Sequence, residues 1–200
     1  MIKRKGVMLL ACGVLLLTSF AAPGVASAAS APTQFVAQSR AAGLTSAEAD
    51  WMQRMASWYV SKADGKQTSP NTVDLPHGGR VQIALPGEQY PRDFSRPNGT
   101  LASQCNGGTA RGYVCVYSGY RGTGTSLAGY YCGYGNSIYM NPEIFWNSGQ
   151  GSWGSNQTGS ARGLFWTIDG HIADFIPAQG YNHYYEWADR EITEFVPCGV

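Results

Sequence analysis

Between Cys105 and Gly163 the chain holds 14 glycines in 59 residues, and the gaps are filled by Tyr113, Tyr117, Tyr120, Tyr130, Tyr131, Tyr134, Tyr139, Phe145, Trp146 and Trp153. Glycine costs about 1 kcal/mol per residue relative to alanine inside a helix, so this density argues against helices. Aromatic residues separated by short glycine turns suit the strands of a small sandwich. Gly163 to Trp166 and Glu191 to Val196 are further strand candidates, and Asp169-Gly170 is a hairpin-turn signal. No repeat longer than a hairpin is visible. The second half of the chain therefore reads as all-β.

What precedes it has a different character. Lys3, Arg4 and Lys5 lead an apolar run from Val7 to Phe20, and small residues follow to Ala26-Ser27-Ala28. A basic head, a short apolar core and an A-x-A exit describe a secretory signal peptide over residues 1–28, too short to anchor in a bilayer. Leu9-Leu10-Ala11-Cys12 superficially resembles a lipoprotein processing box, but the apolar stretch ahead of Cys12 is shorter than such a signal needs. The expected product is a secreted, extracellular chain of 172 residues, the 200 less the first 28. Four cysteines remain in it, Cys105, Cys115, Cys132 and Cys198. An even count in an exported chain implies disulfides. Four cysteines allow three pairings, which the residues alone leave open.

Residues 29–99 read as an N-terminal arm of one helix and one strand. Residues 29–43 are rich in Ala, Ser and Gln and read as a mobile lead-in. Thr45-Ser46-Ala47-Glu48 is a capping box that opens a helix over about 46–63. Trp51, Met52, Met55, Trp58 and Tyr59 recur at steps of three and four, forming an apolar stripe that must dock on something. Asp64-Gly65 is the expected stop. Val81, Ile83 and Leu85 alternate as a strand over about 80–85, ended by Pro86-Gly87. Glu88 to Gly99, with two prolines after Tyr90 and mixed charge, reads as a linker.

Charge and chemistry exclude several function classes. Without Lys3, Arg4 and Lys5 there are 11 basic and 13 acidic residues, and nucleic-acid binding needs clustered Lys and Arg. From Gly163 onward Asp169, Asp174, Glu186, Asp189, Glu191 and Glu194 face only Arg190, an acidic tail read as a solvated rim, with a cation site or a patch for a basic partner as the alternatives. His77, His171 and His183 lie in loop-like settings without zinc spacing. No G-x-S-x-G elbow is present. Glu186 and Glu191 are the one acid–base pair worth weighing, and carboxylates are too common for it to carry an enzyme reading. The expectation is a chain with no catalytic residues, no metal and no cofactor.

Cys105-Asn106-Gly107-Gly108 and Gly112-Tyr113-Val114-Cys115-Val116-Tyr117-Ser118-Gly119 resemble the opening of secreted bacterial proteins of the βγ-crystallin-like metalloprotease-inhibitor family. The likeness continues through Tyr130-Tyr131-Cys132-Gly133, Gly151-Ser152-Trp153 with Asn156-Gln157-Thr158, and Val196-Pro197-Cys198, covering about the last 100 residues. Leu44 to Glu48, Gly65-Lys66-Gln67 and Leu85-Pro86-Gly87-Glu88 also look like a leader arm of such relatives. The resemblance implies a Greek-key sandwich over residues 100–200, a Cys105–Cys115 bridge and a Cys132–Cys198 bridge. Two departures bear on function. Ser155 to Ser160 fails the family's calcium signature at its first and fifth positions. No closely spaced cysteines form the reactive loop of the inhibitory members.

The functional expectation is a secreted, non-enzymatic binding protein of peptidase-inhibitor type, with an extracellular protease as partner. Gly119 to Ala128 and Tyr181 to Trp187 are its candidate contact segments, with Tyr120, Arg121, Tyr181, Tyr184, Tyr185 and Trp187 as contact residues. The alternatives are a carbohydrate or cell-wall polysaccharide binder using the surplus aromatic rings, and a structural exoprotein. No nucleic-acid partner is expected, and no membrane once the signal is removed.

Overall fold

A computed structural model describes residues 31–94, 99–100, 103–106, 108–130 and 137–198. The expected signal peptide over residues 1–28, Cys12 and Cys132 lie outside these residues. The chain is mainly β, built from antiparallel sheets with few helices. Among the described residues no helix is long and apolar enough to cross a membrane.

The arm begins with a helix where a mobile lead-in was expected: α1 spans Ala31–Ala41. Pro32 is tolerated because it sits in the first turn, and half-buried Val36 packs with Leu44, Ala49, Met52 and Leu85. Helix α2, Ser46–Lys62, opens on the expected capping box: the Glu48 amide donates to Thr45 Oγ1 at 3.3 Å and the Thr45 amide to Glu48 Oε2 at 2.8 Å. Its buried stripe is Ala49, Met52, Met55, Ala56 and Tyr59. Trp51 and Trp58 flank that stripe half-buried. The left-handed turn that ends the helix falls on Asp64 (φ 50), one residue before Gly65.

The arm holds more strand than its sequence pattern suggested. β1 (Lys66–Ser69) and β2 (Thr72–Asp74) pair with each other, and β2 pairs with β3 (Arg80–Gln82). After Gln82 the ladder ends: the Ile83 amide still donates across to Asn71 O at 2.8 Å, but the Ala84 amide donates to a side chain, Thr125 Oγ1, at 3.0 Å. The stretch read as a linker contains β4 (Arg92–Asp93), paired with β5 (Gly99–Thr100).

The glycine-rich half supplies β6 (Val114–Tyr117), β7 (Ser126–Gly129), β8 (Ile138–Tyr139), β9 (Gly151–Asn156), β10 (Gly163–Thr167), β11 (Ile172–Ile176), β12 (Gln179–Tyr185) and β13 (Ile192–Val196). Among the described residues one α-helix interrupts it: α3, Pro142–Ser148, is capped by Asn141, whose Oδ1 accepts from the Glu143 amide at 2.8 Å, and stops at Gly149. The first sheet runs β1-β2-β3-β7-β6-β9-β12, and the second β11-β10-β13-β8. Arm and second half thus share one sheet, through the β3–β7 pairing of Val81 with Leu127.

Within β6 to β13 one pattern occurs twice. In β6–β9 the first, second and fourth strands are neighbours in the first sheet, and the third, β8, lies in the second sheet. In β10–β13 the first, second and fourth are neighbours in the second sheet, and the third, β12, lies in the first. The halves exchange third strands, which ties the sheets together by hydrogen bonds as well as by the core.

Strand alternation sorts the side chains. Val114 and Val116 face the space between the sheets, with Val81, Leu127, Trp153, Phe165, Ile176, Ile192 and Phe195, and with Tyr59 of α2 and Phe145 of α3. Each such side chain contributes about 1.5–3 kcal/mol of burial. Cys115 and Tyr117 point to the other face, where the Cys105–Cys115 disulfide anchors the overlying loop and Tyr117 donates to Cys105 O at 2.7 Å. Cys198 is disulfide-bonded as well, with its partner outside the described residues.

Candidate functional site

The two segments singled out as contact candidates meet on the surface. The loop Ser118–Thr125 joins β6 to β7, and its tip is a single turn, Tyr120–Gly122, with Arg121 in the left-handed region at φ 54. That conformation is sterically costly for a residue with a Cβ. Its neighbours hold it in place. The amides of Ser118 and Gly119 donate to Thr125 O and Thr123 O at 2.9 Å each, and the Thr125 amide donates to Ser118 Oγ at 2.9 Å. From β9, Ser152 Oγ accepts from the Gly122 amide at 2.8 Å and donates to Gly119 O at 2.7 Å. Gly122 itself has φ +76, and a Cβ there would meet the Tyr181 hydroxyl at 2.7 Å.

Facing this turn is β12, an edge strand of the first sheet. Its register against β9 shifts between Asn182 and Tyr185. A strict period of two would put Tyr181 and Tyr185 on the same face. The shift separates them: Tyr181 lies over Gly154 on the outer face, where a Cβ would come 2.8 Å from its ring, while Tyr185 enters the core.

Tyr120, Arg121, Tyr181 and Tyr184 are therefore brought together. Arg121 Nε and Nη2 donate to the Tyr184 hydroxyl at 2.8 and 2.5 Å. The rings of Tyr120 and Tyr184 meet edge to face at 4.9 Å, and Tyr120 donates to Glu186 Oε1 at 2.7 Å. That bond to a carboxylate pushes the Tyr120 hydroxyl pKa above its ordinary value. His183 adds a ring 4.4 Å from Tyr181. Tyr181 and Tyr184 remain 39% and 54% exposed. Partial burial raises the Tyr181 pKa.

Tyr185 and Trp187, expected among the contact residues, correct that expectation: they are 4% and 0% exposed. Trp187 donates to Tyr117 O at 2.9 Å and packs against Tyr185 and Phe165 at ring distances of 4.6 and 5.3 Å. Tyr185 donates to Asp174 at 3.2 Å, and burial raises its pKa. The candidate segment Gly119 to Ala128 is also shorter as a loop, since Ser126 to Ala128 belong to β7. Sequence reasoning overlooked Ser152 and Gly122 as supports, because both act through a neighbour distant in the chain.

Other features carry less chemistry. Asp169, accepting from the Thr167 hydroxyl, is held below the ordinary carboxylate range and lies 3.5 Å from exposed His171. Glu186 is engaged by Tyr120, while Glu191 sits in a tight turn at φ 51. Among the described residues no group of three or more His, Cys, Asp or Glu side chains is disposed to hold a metal ion. A cavity of about 260 Å³ lies between arm and sheets, lined by Lys62, Asp64, His77, Tyr130, Ser137 and Tyr139. Tyr130 and Ser137 flank residues 131–136, which are outside the described set. The chain matches no protein-family model, no curated protein and no solved structure.

Proposed function

We propose that this chain is a secreted, non-enzymatic binding protein of peptidase-inhibitor type, and that its contact surface is the Tyr120–Gly122 turn together with the outer rings of β12. One observation carries the reading: Tyr120, Arg121 and Tyr184 are exposed or half-exposed yet already ordered by mutual contacts, with exposed Tyr181 seated beside them against Gly122 and Gly154. Tyr and Arg dominate binding hot spots because they give large contact area at low entropy cost. A surface ordered before encounter loses less entropy on association. In this reading β6–β9 and β10–β13 are two Greek-key units with exchanged third strands, as in a βγ-crystallin-like body. The repeated strand pattern supports it. The body displays the turn outside the cell.

Arg121 in the left-handed region cannot mimic an extended substrate, which is the form that strand-type recognition accepts. Inhibition would then come from occluding a cleft and not from presenting a scissile bond. The test is turnover of a peptide substrate by a thermolysin-like metalloprotease. The chain should slow it, and Arg121→Ala and Tyr184→Phe should each weaken inhibition about tenfold or more. Undiminished turnover at micromolar chain would end the reading.

A second reading, glycan binding, is favoured by the exposed Tyr181, His183 and Tyr184 rings. The tilts of 44° between Tyr181 and His183 and 56° between His183 and Tyr184 do not make one flat platform, which suits a curved glycan better than a flat crystalline polysaccharide. Retention on peptidoglycan, lost in Tyr181→Ala, would favour it over protease occlusion.

A further inference from the structure

We propose that the N-terminal arm is a positioning element for the Ser118–Thr125 loop, so that the contact surface is held from both sides only while the arm is docked. This deepens the function proposed above and takes from it the reading of that loop as the contact surface. The physical basis is where the β3–β7 ladder ends. Its last pair is Gln82 with Ser126. One residue further on, a side chain replaces the backbone partner: Thr125 Oγ1 accepts from the Ala84 amide at 3.0 Å and donates to Ala84 O at 3.4 Å. Thr125 is buried, so neither backbone group of Ala84 has water as a ready substitute.

A second tie follows from Leu85-Pro86-Gly87-Glu88, whose role the fold alone leaves open. These residues form a turn in which the Glu88 amide donates to Leu85 O at 2.9 Å and Glu88 Oε2 accepts from the Leu85 amide at 3.1 Å. The other Glu88 oxygen pairs with Arg92. So closed, the turn aims the Gln89 carbonyl at the loop, and the Gly124 amide donates to it at 2.8 Å. The loop is held from two sides: by the arm at Gly124 and Thr125, and by β9 and β12 at Gly119, Arg121 and Gly122. Only the second side would remain without the arm.

Amide hydrogen exchange in the full-length chain, read residue by residue by NMR, tests this without any ligand. Thr125→Val keeps the side-chain shape and strands Ala84, and Glu88→Ala opens the turn without touching the core. Both should speed exchange at Gly122 and Gly124 by roughly tenfold, the scale of one lost buried hydrogen bond, while Val116 and Leu127 hold their wild-type rates. Thr125→Ser, which keeps the hydroxyl, should restore protection. Unchanged exchange at Gly122 and Gly124 would overturn the proposal. So would acceleration matching that of Val116 and Leu127, because the arm would then serve only general stability. Protease inhibition is measured on the same samples. If the wild-type chain inhibits, Thr125→Val should weaken it and Thr125→Ser should not. If the wild-type chain fails to inhibit, the proposed function falls, and exchange still decides the positioning role.

Discussion

The indole of Trp187 lies across Gly151, and any Cβ at that position would overlap its Nε1 edge. Only a residue without a side chain lets the indole reach Tyr117 O beneath the first sheet. Gly151→Ala should therefore destabilise the protein by about 3 kcal/mol or more, at the upper end of overpacking costs, because the obstacle is a rigid ring with a buried hydrogen bond. Urea unfolding measures this, and a midpoint shift worth less than about 1 kcal/mol would contradict the packing described. The same residue shows why aromatic composition misleads about contact surfaces. Tyr184 and Trp187 are three residues apart in a polar stretch. One carries the candidate surface and the other the core.

At the scale of elements, helix α2 is closed by a local device with a distinct pH signature. The Thr45 hydroxyl and amide both donate to Glu48 and lower its pKa from the ordinary 4.5. A lowered carboxyl pKa means that the capping contribution is complete above the ordinary value and is lost as pH falls through the lower, folded one. An NMR titration of the Glu48 side chain should thus have its midpoint below 4.5, moving part of the way back in Thr45→Ala, which removes the hydroxyl and keeps the amide bond. A wild-type midpoint at or above the ordinary value would refute the cap. The exposed edges also carry local devices. The Phe175 amide on β11 donates to Asp174 Oδ1 at 2.8 Å, and the Tyr184 amide on β12 donates to Asn182 Oδ1 at 3.0 Å. Edge amides satisfied in this way are poor templates for another strand, so side chains and not edge pairing are the means by which this surface would hold a partner.

For the molecule as a whole, the arm belongs to the body in both sheet and core. Tyr59, Val73, Val81 and Ile83 share one apolar cluster with Phe165, Trp187 and Phe195. The Asn141 amide donates to the buried Tyr59 hydroxyl at 3.2 Å, and Trp51 donates to Glu143 at 2.9 Å across 92 residues of chain. Heat or urea should then unfold the chain in one transition, with far-UV circular dichroism and tryptophan fluorescence superimposing. Trp51 and Trp58 report from the arm and Trp153 and Trp187 from the β-rich second half. Two separated transitions would mean that the arm folds as an independent unit.

How far these features could be read in the residues alone follows the distance over which each is made. The capping box at Thr45, the apolar stripe of α2, the strands around Phe165 and Phe195 and the Asp169-Gly170 turn were legible, because hydrogen bonds and periodicities within a few residues produce them. Helix α3 had its signals too, Asn141-Pro142 ahead and Gly149 behind, but they stood inside a glycine-rich stretch whose average favours strand. The entry of β1 to β3 into the first sheet, the exchange of β8 and β12 and the burial of Tyr185 and Trp187 left no local trace. Each depends on which distant strand pairs with which, and on one register shift in β12 that sends Tyr181 outward and Tyr185 inward. Local chemistry along the chain dictated the elements and most of the surface chemistry. Long-range pairing, which no short window encodes, chose the faces and brought Tyr120, Arg121, Tyr181 and Tyr184 together.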